Sequence, residues 1–393
     1  MNSLFVDKTV SVIGELTSDE REFFKHQQEW LNLRTEKIID YEKNIGCTIK
    51  DLFDINICKP DSNLVFRLQP NIRFGIIDFN IELENKECVE AEGKNTNCII
   101  FNLAHGHNFS HFLHDHISIL YNLLADKRNL IYYFIPQKDS FRRDALKYIL
   151  PVEYYNRLRI VDETSSIVIQ QPESISVTNT GGSKGAVYPN LPYNFLEHVH
   201  NNIIKPVKQD MLIFNIRKNI GETKRVLNYT QNDKIVSILK KYSKENNLIY
   251  HEHYGAKSLE EQIDLFARAK IVVGFHGAAM TNTAFLQRNL KTHVVEFLGL
   301  YKNKSDEDKP RTRTRPNALM LIPKKYRNLS LPCDTETWAP MFLGMRQSHN
   351  ALWGNIISPY VKSWNILPYT RESTPDAVNI NINDFVEVLN KIK

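Results

Sequence analysis

The 393-residue chain predicts an α/β protein, and three observations carry that prediction. After Pro206, short apolar runs alternate with amphipathic stretches, the pattern of strand–helix–strand units and a parallel sheet. Residues 272–282, Val-Val-Gly-Phe-His-Gly-Ala-Ala-Met-Thr-Asn, followed by 293–297, His-Val-Val-Glu-Phe, read as a buried strand, a tight His276-Gly277 turn, a helix begun on Ala278 and Ala279, and a second buried strand closing near Glu296. The length suffices for two domains, each with its own core.

From the amino terminus, residues 18–45 carry Phe23, Trp30, Leu33, Ile38 and Tyr41 at helical spacing, with Ser18, Glu20 and Arg21 as a start. This reads as a surface helix packed by its apolar stripe. Short apolar runs between Leu64 and Ile100 suit strands and end at 98–102. A histidine-rich segment follows, then a helix to about Leu124 and a strand over 130–135. Residues 140–150 look helical and are stopped by Pro151. Strands are expected over 159–161 and 166–169, and a loop over 180–185. A boundary near Pro206 precedes the regular series: strand 211–216, helix 230–246, strand 248–251, a helix opened by the capping box Ser258-Leu259-Glu260-Glu261, and strands 271–275 and 294–297. A charged stretch, 302–315, reads as a solvated loop.

The formal charge of +5 suits an anionic small molecule and is too weak to argue for nucleic acid. Five scattered cysteines without C-x-x-C spacing point to reduced thiols in a cytosol-like compartment. The amino terminus has no signal-peptide core, and no run approaches the roughly 18 apolar residues that span a bilayer. A cytoplasmic protein is expected, at most peripheral to a membrane.

The turn at 276–278 is a natural seat for phosphate, because a helix start offers backbone N–H groups and the positive end of a dipole. Glycine lets the backbone approach a ligand, and Glu296 could accept from ribose hydroxyls. Arg217-Lys218 and Lys224-Arg225-Val226-Leu227-Asn228 place cations in the loop after the first strand of the second half, where arginine can hold a diphosphate in bidentate fashion. Five of the thirteen histidines fall within 105–116. There Phe109, Leu113, Ile117 and Leu120 form a core stripe, with His111, Asp115, Ser118 and Asn122 on another side. His111 and Asp115 are then i, i+4 neighbours, and a carboxylate beside an imidazole is how general bases are built. Two other readings stay open for this segment: capping and packing, or a metal site from His107 and His111 or from His111, His114 and Asp115.

Taken in order, these residues resemble glycosyltransferase family 61. The resemblance rests on Asn108, His111 and Asp115, then Arg217, Arg225 and Asn228, then Ser258-Leu259-Glu260-Glu261-Gln262, and finally Val273 to Asn282 with Val294-Val295-Glu296. It covers residues 101–297; Ala279-Met280 stands where the family often has a small residue and then Leu, and the proline often seen after Glu296 is missing. It implies a GT-B architecture, two Rossmann-like domains facing across a cleft: an acceptor-side domain over 1–205, a nucleotide-sugar-binding domain over 206–345, and a segment over 346–393 returning towards the N-terminal domain through a helix at 384–392.

The resemblance also implies inverting transfer of a sugar from a nucleotide-diphosphate-sugar, a UDP-sugar above all, to a glycan hydroxyl, as in surface polysaccharide or glycoconjugate synthesis. His111 with Asp115 would be the base unit, with Asp115 as direct base a variant. Arg217, Arg225, Asn228, His276, Gly277, Ala278, Ala279, Thr281, Asn282 and Glu296 would bind the donor, with no cofactor and no metal. Two other functions are carried beside it: a metal-dependent hydrolase using the histidines of 105–116, and an inactive nucleotide- or carbohydrate-binding module.

Overall fold

The structure, a computed structural model, describes residues 3–5, 10–13, 53–57, 65–73, 76–84, 96–101, 109–165, 167–170, 174–178, 190–216, 229–255, 257–275, 277–301, 360–371 and 380–392. The helix expected over 18–45 and the loops expected over 180–185 and 302–315 lie outside these residues. The chain divides into two compact units: Met1–Asp40 with Val199–Lys257 and Glu261–Lys393, and Tyr41–His198 with Ser258–Glu260. Strands β1 (Ser3–Phe5) and β2 (Val10–Ile13) belong to the sheet of the first unit.

The second unit holds β3 (Phe53–Ile57), β4 (Val65–Arg73), β5 (Ile76–Glu84) and β6 (Asn97–Phe101). Helix α1 (residues 109–123) leads to β7 (Asn129–Phe134). Helices α2 (Ser140–Ile149) and α3 (Val152–Tyr155) lead to β8 (Leu158–Val161). Strands β9 (Ile167–Gln170) and β10 (Ser174–Thr178) and helix α4 (Asn190–His198) complete it. One sheet runs β3-β10-β6-β7-β8, parallel from β10 onward, and β5-β4-β9 form an antiparallel ribbon. Every residue of β7 is buried, as its unbroken apolar run predicts for a strand covered on both faces. Helix α2 starts where Asp139 accepts from the Arg142 N–H, and it stops at Leu150, pushed to extended backbone by Pro151.

The first unit continues with β11 (Met211–Asn215), α5 (Tyr229–Glu245), β12 (Ile249–His253), α6 (Leu259–Ala267) and β13 (Ala269–Phe275). A 3₁₀ helix (Ala278–Phe285) follows, then β14 (His293–Tyr301), β15 (Ser363–Arg371) and α7 (Ile382–Lys391). The sheet order is β1-β2-β15-β14-β13-β11-β12, with β12 through β2 all parallel. Counted from β11, the five strands β12-β11-β13-β14-β15 run 2-1-3-4-5. That is a doubly wound sheet, and its order reverses between β11 and β13, where such sheets bind ligands beyond their carboxyl ends.

Alternate residues of these strands face opposite sides. Leu212, Phe214, Ile271, Val273, Val295 and Phe297 pack with Ile235 and Leu239 of α5 and with Phe385, Val388 and Leu389 of α7. The helix expected over 384–392 forms and packs on this sheet. Its apolar stripe completes the core on the α5 side, the Tyr242 hydroxyl donates to the Ile392 carbonyl at 3.2 Å, and Gln231 bonds both backbone groups of Ile380. Among the described residues, no helix is long and apolar enough to cross a membrane.

Candidate functional site

The strand register places polar residues in one row across the carboxyl end of the doubly wound sheet. Asn215 pairs with His253 on one side and Gly274 on the other, and Gly274 pairs with Glu296. Residues in register on parallel strands share a face, so this row lies on the side of the sheet opposite α5 and α7. Gly274 leaves room for its neighbours: an added Cβ would meet the Asn215 Cβ at 2.6 Å and the Met280 Sδ at 3.0 Å. A side chain there would have to displace the strand or the turn above it.

The turn that follows is built differently from the expectation. Gly277 adopts φ 151° and ψ −173°, a conformation open in practice to glycine alone. The helix after it is 3₁₀, not α, and opens with the Met280 N–H donating to the Gly277 carbonyl at 2.9 Å. The Thr283 hydroxyl donates back to the Met280 carbonyl at 2.7 Å, tightening the coil. Gly277, Ala278 and Ala279 are half-buried, whereas Thr281 and Asn282 are buried. The latter two build the inner wall of the turn. Asn282 donates to Gln262 at 3.0 Å, so the Ser-Leu-x-Glu-Gln and Thr-Asn segments of the sequence are one hydrogen-bonded unit. His276 lies outside the described residues, as do Arg217, Arg225 and Asn228.

Glu296 is buried, and its Oε2 accepts from the Trp364 indole N–H of β15 at 3.0 Å. An indole donor fixes this carboxylate on the row, a support that no spacing in the sequence signals. Asn215 and His253 were also missed. The signal was present, since each is a polar residue closing an otherwise strand-like run, but alone that marks only a strand end.

In the other unit, α1 is α-helical at Phe109–His111, π-helical at Phe112–Ile117 and α-helical again at Ser118–Leu123. Such insertions of one residue occur often at functional sites. Leu113, Ile117 and Leu120 are buried as expected, joined by Phe112 and His116. The wider turn also rotates Ser118 inward. Expected on the side of His111, it is instead fully buried, its hydroxyl donating to the Leu113 carbonyl five residues back at 2.9 Å. Ser118→Ala should cost about 1 kcal/mol in urea unfolding, the usual worth of one such bond.

His111 is half-buried on this helix. Asp115 sits within the π turn; its side chain, that of His114, and all of His105 and His107 lie outside the described residues. His116 is anchored to the sheet: its Nδ1 meets the Tyr133 hydroxyl at 2.7 Å, and its ring stands edge-on to Phe101 and Tyr133. Burial pushes the Tyr133 phenol up to about 12, with the Arg142 guanidinium beside it acting the other way. Arg142, itself buried, is held by Asp139 at 2.5 Å. A guanidinium can only donate, which favours Tyr133 donating onward to His116. The π turn is thus pinned from behind by a buried polar chain.

Residues 109–295 match the family model Glycosyltransferase 61. The matched segment begins at α1 and ends one residue before Glu296, spanning both the π turn and the switch point. No curated protein matches the chain.

Proposed function

Because the chain belongs to glycosyltransferase family 61, acting between a sugar donor and an acceptor, we propose that it is an inverting transferase taking its sugar from a nucleotide-diphosphate-sugar, a UDP-sugar foremost. The observation that carries this reading is the polar row at the switch point of a doubly wound sheet, beneath a glycine turn. Ligands of such sheets gather there, and the backbone N–H groups of Ala278 and Ala279 precede the first 3₁₀ hydrogen bond, where a phosphate oxygen could sit.

In this mechanism an acceptor hydroxyl on a glycan loses its proton to the His111–Asp115 unit and attacks the anomeric carbon. The bond to the nucleoside diphosphate breaks as the new glycosidic bond forms, inverting the centre. Arg217 and Arg225, with the turn at 276–278, would stabilise the departing charge. Asn228 and Glu296 would hold the donor, Glu296 through ribose. The two-domain GT-B arrangement, a role in surface glycan synthesis, and a cytoplasmic setting at most peripheral to a membrane are parts of the same proposal.

The reaction as proposed uses no divalent cation. The charged stretch does contain an Asp-x-Asp run, Asp306-Glu307-Asp308, of the kind that holds a nucleotide-bound metal in other enzymes, so this point is tested directly. A thermal-shift series with UDP, GDP and CMP, each with and without EDTA, should show stabilisation by one diphosphate, indifferent to EDTA. Ligand at a hundred times its dissociation constant adds about 2.7 kcal/mol. Arg225→Ala should erase that shift while leaving the unliganded midpoint unchanged. No nucleotide effect, together with destabilisation by EDTA, would overturn the reading in favour of a metal site.

A further inference from the structure

Behind the donor turn, a relay of side chains has hydrogen-bond roles that can be assigned one from the next. The Lys257 carbonyl can only accept, so Gln262 Nε2 donates to it at 2.9 Å and Gln262 Oε1 must face the other way. That oxygen accepts from Asn282 Nδ2 at 3.0 Å, which fixes the Asn282 amide in turn. The same Nδ2 reaches His253 Nε2 at 3.4 Å. Nε2 must therefore accept, and the proton of a neutral ring stands on Nδ1. Gln262, Asn282 and His253 are 2%, 1% and 1% exposed, and they come from α6, the 3₁₀ helix and β12.

Holding this relay is costly. His253 Nδ1 and Asn282 Oδ1 are buried without a hydrogen-bond partner among the described residues, as is Asn215 Oδ1 in the same row. Each such group costs about 1–3 kcal/mol. Apolar side chains of similar volume would fill the space without that cost. What the relay supplies instead is orientation, because each amide and the ring tautomer admit one arrangement. The element so oriented is the 3₁₀ helix that begins at Ala278, held through Asn282 three residues after Ala279.

We propose that Gln262 and His253 are positioning residues of the donor site: acting through Asn282, they set where the backbone of Gly277, Ala278 and Ala279 lies. This rests on the donor-site reading above. Neither residue touches the donor. A packing role alone would depend on side-chain volume, whereas positioning depends on the acceptor at His253 Nε2.

The test is calorimetric titration of UDP into the full chain and its variants, each checked by circular dichroism. His253→Leu and Gln262→Leu should weaken UDP binding by about tenfold or more, equivalent to about 1.4 kcal/mol. His253→Gln, whose amide oxygen can reach the position of Nε2, should restore most of the affinity even though its thermal midpoint falls like that of His253→Leu. Wild-type affinity in both folded Leu variants would overturn the inference, as would equal weakening in His253→Gln and His253→Leu. Should the Leu variants not fold, ¹⁵N spectra of histidine-labelled wild-type protein decide it: a proton on Nδ1 of His253 is required, and a proton on Nε2 refutes the relay. Binding of neither UDP nor GDP by the wild-type chain sinks the donor-site reading first, and this inference with it. Wild-type binding with unaffected variants sinks this inference alone.

Discussion

Replacing His111 with alanine is expected to lower transfer by roughly 10²–10⁴-fold, the usual contribution of a positioned general base, with UDP affinity unchanged. The size follows from its place. His111 is half-buried at the end of the first α-helical turn, immediately before the π segment, and its side chain is no part of the core stripe. Alanine there leaves the core stripe intact and favours the helix, so the fold should survive and the loss should be chemical. Asp115→Asn separates the two forms of the mechanism. If the imidazole takes the proton and the carboxylate orients it, Asp115→Asn keeps residual turnover and moves the pH–rate profile. If the carboxylate is the direct base, Asp115→Asn is the dead variant and His111→Ala the partial one. Near-normal single-turnover rates in both would remove the pair from the mechanism.

The fold was legible wherever a strand had to be buried on both faces. The runs at 98–102, 130–135, 211–216 and 271–275 read as strands because parallel sheets demand continuous apolar segments. Two features were not legible. The π turn of α1 leaves no mark in spacing, since one inserted residue keeps every neighbour in sequence and only rotates the side chains beyond it. Ser118 was misplaced for that reason. The 3₁₀ type of the coil at 278–285 was not legible, because two alanines favour a helix without choosing its type. It is the unusual backbone of Gly277 and the bond from Thr283 to the Met280 carbonyl that tighten it.

The candidate site divides along the same line. Residues that would meet the donor stand in motif-like strings and could be named from the sequence. Those that hold them do not: His253, Asn215 and Trp364 act through pairings between strands distant in sequence. Strand order brings Asn215 beside His253 and Gly274, and only β15 brings Trp364 to Glu296. Gln262 was named within a motif, but its role was invisible until Asn282 was seen across from it.

Unfolding should become markedly easier between pH 6.5 and 4, because among the described residues of the first unit burial holds four histidines below the ordinary value, His251 and, furthest, His200, His253 and His293. Burial, then the charge of Arg288, brings His200 down to about 3, against the Ala284 carbonyl it donates to. Burial, then His251 and Lys257, brings His253 down to about 4. Burial, then Lys362 and Lys270, does the same to His293, also to about 4. In the unfolded chain each would titrate near the ordinary value of about 6.5. The folded pKa values are depressed, so the unfolded state binds more protons throughout that window. The stabilisation is complete above about 6.5 and is lost as pH falls towards the folded values. Each histidine contributes at most about 1.4 kcal/mol per pH unit, which for three sums to several kcal/mol by pH 4. The carboxylates held low, Asp126 by Arg128 and Asp162 by Thr164, add their losses only below about pH 4, so the two effects separate on the pH axis. Urea midpoints measured from pH 7.5 to 4 should fall steeply, and a variant carrying glutamine at His200, His253 and His293 should fall far less. An equal slope in that variant would assign the acid sensitivity elsewhere. His253 connects this effect to the site: below its folded pKa the ring can no longer accept from Asn282, so donor binding should fail together with the stability of the turn.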